Sequence, residues 1–263
     1  MQEIIRLNNL NFSYGKTATL KNISLSIKKG KIVGILGSNG SGKSTLLKTI
    51  FGHLKPKSGE IIFRDKPLTS YKIQEIAKRI SYTPQNPIFS LPITVLEAVL
   101  IGRAPYIGNY EFEHAKDKEI AFESMNSIGI IDLKNRYINQ LSGGEKQLVS
   151  IARALAQEPE VMILDEPTTF LDFNYKTRIL SLISSLNKDK GITIIIATHD
   201  ISYSISLFDQ IVLLKYGAIY DMGEKSDVIN EETLSEVYGI DLKVLQENGT
   251  VLVIPKQQNQ PNG

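Results

Sequence analysis

Gly37-Ser38-Asn39-Gly40-Ser41-Gly42-Lys43-Ser44 follows the pattern G-x-x-x-x-G-K-[ST], which can cradle a chain of phosphates. Glycine lets backbone N–H groups turn inward around phosphate oxygens, because no Cβ stands in the way. Lys31 to Leu36 is an apolar run of strand length, and a helix is expected from near Ser44. That helix aims its positive end at the same anion. In such a loop Lys43 reaches the β- and γ-phosphates, the Ser44 hydroxyl ligates Mg²⁺, and Thr45 supports the phosphate from the first turn.

Val161-Met162-Ile163-Leu164-Asp165-Glu166 reads as an apolar strand ending in two carboxylates. Downstream of a phosphate loop, a carboxylate at such a position holds Mg²⁺ directly or through water, the role expected of Asp165. Glu166 comes next and points differently, toward the γ-phosphate, where it can take a proton from the attacking water as general base. Solvated acids at a strand end are common, so this pair draws its meaning from the loop upstream. A third pattern, Leu141-Ser142-Gly143-Gly144-Glu145-Lys146-Gln147, precedes an amphipathic helix. Ser142 and Glu145 have capping-box spacing, which explains part of it. Two glycines inside a cap disfavour the helix, but they permit close backbone approach to an anion at its N-terminus. The chain thus carries two phosphate-binding devices; their separation alone does not say whether both serve one ATP.

The elements that must position these groups are legible in the periodicity. Ile23, Leu25 and Ile27 alternate with Ser24 and Ser26, as in a half-buried strand, and Lys28-Lys29-Gly30 turns the chain. Gly59 to Phe63 and Ile80 to Thr83 read as further strands. From about Thr94 to Gln157 the pattern is helical, with Ala121, Met125 and Ile128, and again Leu148, Ala152 and Leu155, at i, i+4, i+7. Pro84, Pro87, Pro92 and Pro105 punctuate its entry. Val161 to Leu164 and Ile192 to Ala197 are continuous apolar runs, as buried parallel strands require, and Asn174 to Leu186 between them reads as a crossover helix. Strands alternating with helices predict an α/β fold with a parallel sheet. The expected division is one domain over 1–255, with a core at 1–87 and 158–255 and a helical insertion at about 88–157. The polar tail 256–263 is expected to be disordered.

The 263 residues suffice for one large α/β domain with such an insertion. Basic and acidic residues nearly balance, 30 against 28, which argues against a non-specific nucleic-acid binder. The absence of cysteine removes disulfides, thiolate metal sites and Cys nucleophiles. The opening MQEIIRLNNL has no basic stretch followed by a long apolar one, so no secretory signal is expected. No aliphatic run approaches the roughly 20 residues of a spanning helix. A role at a membrane would need a separate membrane subunit.

LSGGEKQ, after a phosphate loop and before Leu164-Asp165-Glu166, resembles the signature of ABC-type ATPases. The resemblance runs from Tyr14 to about Pro255. It implies a P-loop NTPase fold: a RecA-like core, an antiparallel β subdomain and an inserted helical subdomain. It also implies a head-to-tail homodimer, with Ser142, Gly143 and Gly144 of one copy closing on Mg·ATP held by Gly37 to Thr45 of the other. By the same resemblance Tyr14 stacks on adenine, and Gln85 touches Mg²⁺ and the attacking water. Asp172 belongs to a loop crossing the dimer interface, where Phe170 is bulkier than the residue of many relatives. His199 acts as a switch contacting the γ-phosphate.

The stretch from Thr94 to Gly108 and the run Val237-Tyr238-Gly239-Ile240 resemble the ATPases of importers for iron–siderophore, haem and cobalamin. The implied protein works in the cytoplasm, on the inner face of the membrane, with an integral permease and, indirectly, a substrate-binding protein. ATPases of metal-ion or oxyanion importers share part of this pattern. An exporter ATPase, and a soluble ABC ATPase in cofactor assembly, are the other readings.

Overall fold

The computed structural model describes residues 2–87, 92–107, 114–247 and 250–256. β1 (Glu3–Tyr14) and β2 (Thr17–Lys28) form a long antiparallel pair, with Ile23, Leu25 and Ile27 of β2 buried as their alternation predicts. β3 (Ile32–Leu36) enters the phosphate loop, and α1 (Lys43–Ile50) leaves it. β4 (Ser58–Phe63) and β5 (Lys66–Pro67) complete a four-stranded sheet of order β2-β1-β4-β5. α2 (Ile73–Ala77) and β6 (Ile80–Thr83) follow.

The helical stretch contains α3 (Val95–Leu100), a 3₁₀ segment Ile101–Tyr106, α4 (Ala115–Ile128) and α5 (Gly143–Leu155). Thr94 caps α3 through a reciprocal bond with Glu97. Gly108, the last residue of the stretch likened to chelate importers, lies outside the described residues. Next come β7 (Val161–Asp165), α6 (Phe173–Lys190), β8 (Thr193–Thr198), α7 (Ile201–Ser204), β9 (Gln210–Lys215), β10 (Ala218–Gly223), α8 (Lys225–Val228) and α9 (Glu231–Tyr238). α6 outruns the expected crossover helix at both ends, because Asp172 caps its start and left-handed Gly191 ends it. Left-handed Gly239 ends α9 in the same way.

β11 (Leu242–Glu247) and β12 (Thr250–Pro255) form a separate hairpin. Of the tail expected to be disordered, the first residue, Lys256, is described. Lys256 donates its backbone N–H to Asp241 and pairs with Glu231 at 2.8 Å, because the hairpin returns the chain to α9. Residues 257–263 lie outside the described part.

The main sheet has the order β10-β9-β3-β8-β7-β6, parallel except for β10. β3, β7 and β8 are buried on both faces, which explains their continuous apolar runs. Val33, Ile35, Ile163, Ile195 and Val212 pack with α1 and the four-stranded sheet. Leu36, Met162, Leu164, Ile194 and Ile196 face the other way. There they share one core with Val95, Ala121, Met125, Leu148 and Ala152 of the helices, so the sequence periodicities point where they should.

Arg103 joins three parts of the helical region. Its guanidinium donates to Asp117 at 2.9 Å, to the Ala156 carbonyl at 2.7 Å and to Glu158 at 2.8 Å, and lies over the Tyr106 ring. Burial works to raise the Asp117 pKa, but the Arg103 hydrogen bond, the His114 N–H and the Arg103 charge outweigh it and hold the carboxyl below its ordinary value. Lysine keeps the charge but loses the fork and the stacked plane. Arg103→Lys is therefore expected to lower unfolding free energy by about 2 kcal/mol, read as an earlier urea midpoint at unchanged slope. An unchanged midpoint would show that the pairs contribute nothing.

Candidate nucleotide site

The proposed reactive groups leave the carboxyl ends of β3, β7 and β8, where ligands of open α/β sheets bind. β8 lies between the other two, so the phosphate loop, Asp165-Glu166 and His199 converge on one edge. Two glycines of the loop are sterically required. A Cβ on Gly37 would stand 2.3 Å from the Leu214 carbonyl oxygen. Gly42 caps α1 at φ 106°, a left-handed conformation that side chains disfavour.

Lys43 is buried, and its ammonium donates to the carbonyls of Gly37 at 2.9 Å and Ser38 at 3.2 Å. It also stands 3.8 Å from a Glu166 oxygen. Desolvation lowers its pKa, while Glu166 and Asp165 work in the opposite direction. Ser44 donates to one Asp165 oxygen at 3.0 Å, and Tyr82 donates to the other at 2.9 Å. Burial raises the Asp165 pKa against these two bonds. Glu166 has φ 51°, and its N–H donates to Ala197 on β8 at 2.8 Å. This left-handed kink at the strand end turns its side chain away from that of Asp165. One Glu166 oxygen accepts from Thr169 at 2.8 Å and meets His199 Nδ1 at 2.7 Å.

A cleft of about 330 Å³ opens over Asn39, Gly40, Lys43, Ser44, Gln85 and Glu166, with Thr19 and Thr45 on its wall. A larger cavity of about 960 Å³ lies beside α9 among Tyr220, Glu231 and Lys256, away from this chemistry. The nucleotide cleft holds the phosphate-loop residues, the base candidate and Gln85 together. Ser41 lies buried beneath it, its carbonyl accepting from Gly217 at 3.0 Å. Tyr14 is not among the residues lining the cleft; it is 51% exposed, with its ring edge-on to Phe12. Sequence reasoning missed Thr169, Thr19 and Tyr82. Thr169 stands three positions after Glu166 and was accessible to a turn argument. Tyr82 arrives through the pairing of β6 with β7 and Thr19 from β2 of the four-stranded sheet, and neither leaves a local signal.

The oxygen donors Ser44, Asp165 and Gln85 suit a hard divalent cation that takes its remaining ligands from phosphates and water.

The LSGGE segment, expected to be a second phosphate-binding device, lies outside this cleft. Ser142 caps α5, accepting from Glu145 N–H at 3.2 Å, while its own N–H donates to the Glu145 carboxylate at 2.7 Å. Ser142, Gly143 and Gly144 do not line the cleft. The two glycines differ. Gly143 faces open space, so it leaves room for a ligand, whereas a Cβ on Gly144 would stand 2.4 Å from the Tyr175 ring of α6. Gly144 thus serves helix packing, a reason the anion argument did not supply. Asp172 likewise caps α6, accepting from Tyr175 N–H at 2.9 Å, beside left-handed, exposed Phe170. Gly144→Ala is expected to push the first turn of α5 from α6 and cut ATP turnover about tenfold, with Tyr175→Ala in the same chain restoring part of it. Unchanged turnover in Gly144→Ala would show that the overlap relaxes freely.

Comparison with known proteins agrees with this arrangement. The sequence model of the ABC transporter family matches residues 20–169. The petrobactin import ATP-binding protein FpuD of Bacillus anthracis is 34% identical over 97% of this chain and 94% of its own length. The ferric enterobactin transport ATP-binding protein FepC of Escherichia coli is 33% identical over 98% and 96%. Among solved structures, an inward-facing transporter described as of the metal-chelate type superposes with a TM-score of 0.86, at 27% identity over 98% of each chain. With the phosphate loop, the paired carboxylates and the capped LSGGE segment on one α/β scaffold, the chain belongs to the ABC transporter family, as an ATP-binding, ATP-hydrolysing cassette.

Proposed function

We propose that this cassette powers import of a metal chelate, an iron–siderophore in the first instance, through a separate membrane permease. The observation that carries the catalytic reading is the Glu166 carboxylate, held by Thr169 and His199 and 3.8 Å from Lys43. The cargo rests on the relatives, whose names specify petrobactin and ferric enterobactin. No helix among the described residues is long and apolar enough to cross a membrane, so the permease is a different chain. Docking is at the inner face of the membrane, and a substrate-binding protein delivers the chelate outside.

In this reading residues 1–87 and 158–255 form the core and about 88–157 the helical subdomain. Gly37 to Thr45 wrap the triphosphate with backbone N–H groups and the Lys43 ammonium. Ser44, Asp165 and Gln85 would hold Mg²⁺, which would supply positive charge to offset that developing on the phosphates. Glu166 takes the proton of the attacking water, and His199 orients that carboxylate and meets the γ-phosphate. Tyr14 stacks on adenine.

Ser142 to Gly144 stand apart from their own chain's cleft, and a second copy supplies what each site lacks. Closure of the homodimer, favoured by ATP's higher affinity for the closed form, drives the permease. Asp172 and Phe170 lie at that interface. The test is recovery of the tagged chain from its host's detergent-solubilised membranes. Co-purification of a many-span membrane protein supports the assignment, and recovery with soluble partners alone overturns it.

A further inference from the structure

We propose that Tyr82 is a positioning residue for the metal-site carboxylate, its hydroxyl fixing Asp165 in the orientation that receives Mg²⁺ with Ser44. This rests on the reading of Asp165 and Ser44 as metal ligands. Asp165 is nearly fully buried at the end of β7, and its two oxygens have separate donors. Ser44 serves one at 3.0 Å and Tyr82 the other at 2.9 Å. Tyr82 pairs with Ile163 across the parallel β6–β7 ladder. Ile163 and Asp165 share a face two residues apart, about 6.6 Å along the strand. A phenol leaning along the strand covers that distance, and a shorter side chain at Tyr82 would not.

The ring itself is held. It stacks on Phe51, with centroids 5.5 Å apart and planes 24° from parallel. Phe51 caps the C-terminus of α1, whose second residue is Ser44. One helix therefore sets both hydroxyls that grip Asp165, one at each end. A terminal carboxylate torsion is broad and roughly two-fold, so an Asp165 held on one oxygen alone could rotate. Tyr82 donates to Asp165 and does not line the cleft, so its effect passes through that carboxylate. The strand carrying it ends at Thr83, two residues before Gln85, which lines the cleft.

The test is Tyr82→Phe, which keeps the stacked ring and removes one oxygen. Affinity of the full chain for the slowly hydrolysed analogue ATPγS is measured by calorimetry in excess Mg²⁺ and in EDTA. Affinity in EDTA should stay within about twofold of wild type, while the gain conferred by Mg²⁺ falls about tenfold, the scale of lost outer contacts to a metal ligand. Mn²⁺ titration followed by electron paramagnetic resonance with ADP should show the same weakening. A Mg²⁺-dependent gain equal to wild type overturns the proposal. So does an equal loss in EDTA and Mg²⁺, which would mark a merely structural hydroxyl. If wild type itself gains nothing from Mg²⁺, the assignment of Ser44 and Asp165 as ligands fails instead.

Discussion

Glu166→Gln is expected to cut ATP turnover about a thousandfold while leaving ATP affinity near wild type. The amide keeps the side chain's length and can still accept from Thr169, so the kink at the end of β7 and the cleft should persist. What it loses is basicity. A positioned general base contributes roughly 10²–10⁴-fold to a hydrolytic step, and the expected loss falls in that range. The wild-type carboxylate is well placed for the role, with His199 at 2.7 Å, Thr169 at 2.8 Å and the buried Lys43 ammonium 3.8 Å away. Binding without turnover should also trap the closed pair. Phosphate release measured beside light scattering separates the two effects, with a stable ATP-dependent dimer as the expected companion of lost turnover. Full turnover in this variant would remove Glu166 from the base role.

Lys43→Ala acts earlier, on binding. Its ammonium sits 2.9 Å from the Gly37 carbonyl and 3.2 Å from that of Ser38, beneath the cleft where the phosphates are proposed to lie. The ammonium is already desolvated, so little further cost attends its contact with a phosphate. Truncating one partner of a buried charge pair costs roughly 2–5 kcal/mol, which corresponds to an ATP affinity lowered by about thirtyfold to a few thousandfold. The vacancy should also be felt without nucleotide, because Glu166 and Asp165 lose their nearest buried cation. Calorimetric titration with ATP and Mg²⁺ reads the first effect and thermal melting of the free chain the second. Unchanged ATP affinity would contradict the phosphate-loop assignment.

Much of this protein was legible in its residues before any coordinates. The expected phosphate loop has a demanding pattern whose backbone and side-chain roles are local, so spacing alone singled out Gly37 to Ser44 as its candidate. Val161 to Leu164 and Ile192 to Ala197 announced parallel strands, because burial on both faces removes polar alternation. The capping box at Ser142 and Glu145 was equally local and was found as expected.

Contacts between distant parts of the chain could not be read in this way. Whether Asp165 meets Ser44 depends on the order β3-β8-β7, which no local pattern specifies. Tyr82 lies within the strand expected from Ile80 to Thr83, but its bond to Asp165 depends on the register of β6 against β7. Gly144 looked like an opening for an anion, yet the Tyr175 ring across the α5–α6 junction is what leaves no room for a side chain. Lys256 looked like the start of a loose tail until the β11–β12 hairpin brought it to Glu231. Residue type and spacing therefore determined which chemistry this chain carries, because those depend on neighbours in sequence. Tertiary structure decided which oxygen meets which hydroxyl and which glycine serves packing, because pairing, register and helix contact bring together residues far apart in the chain.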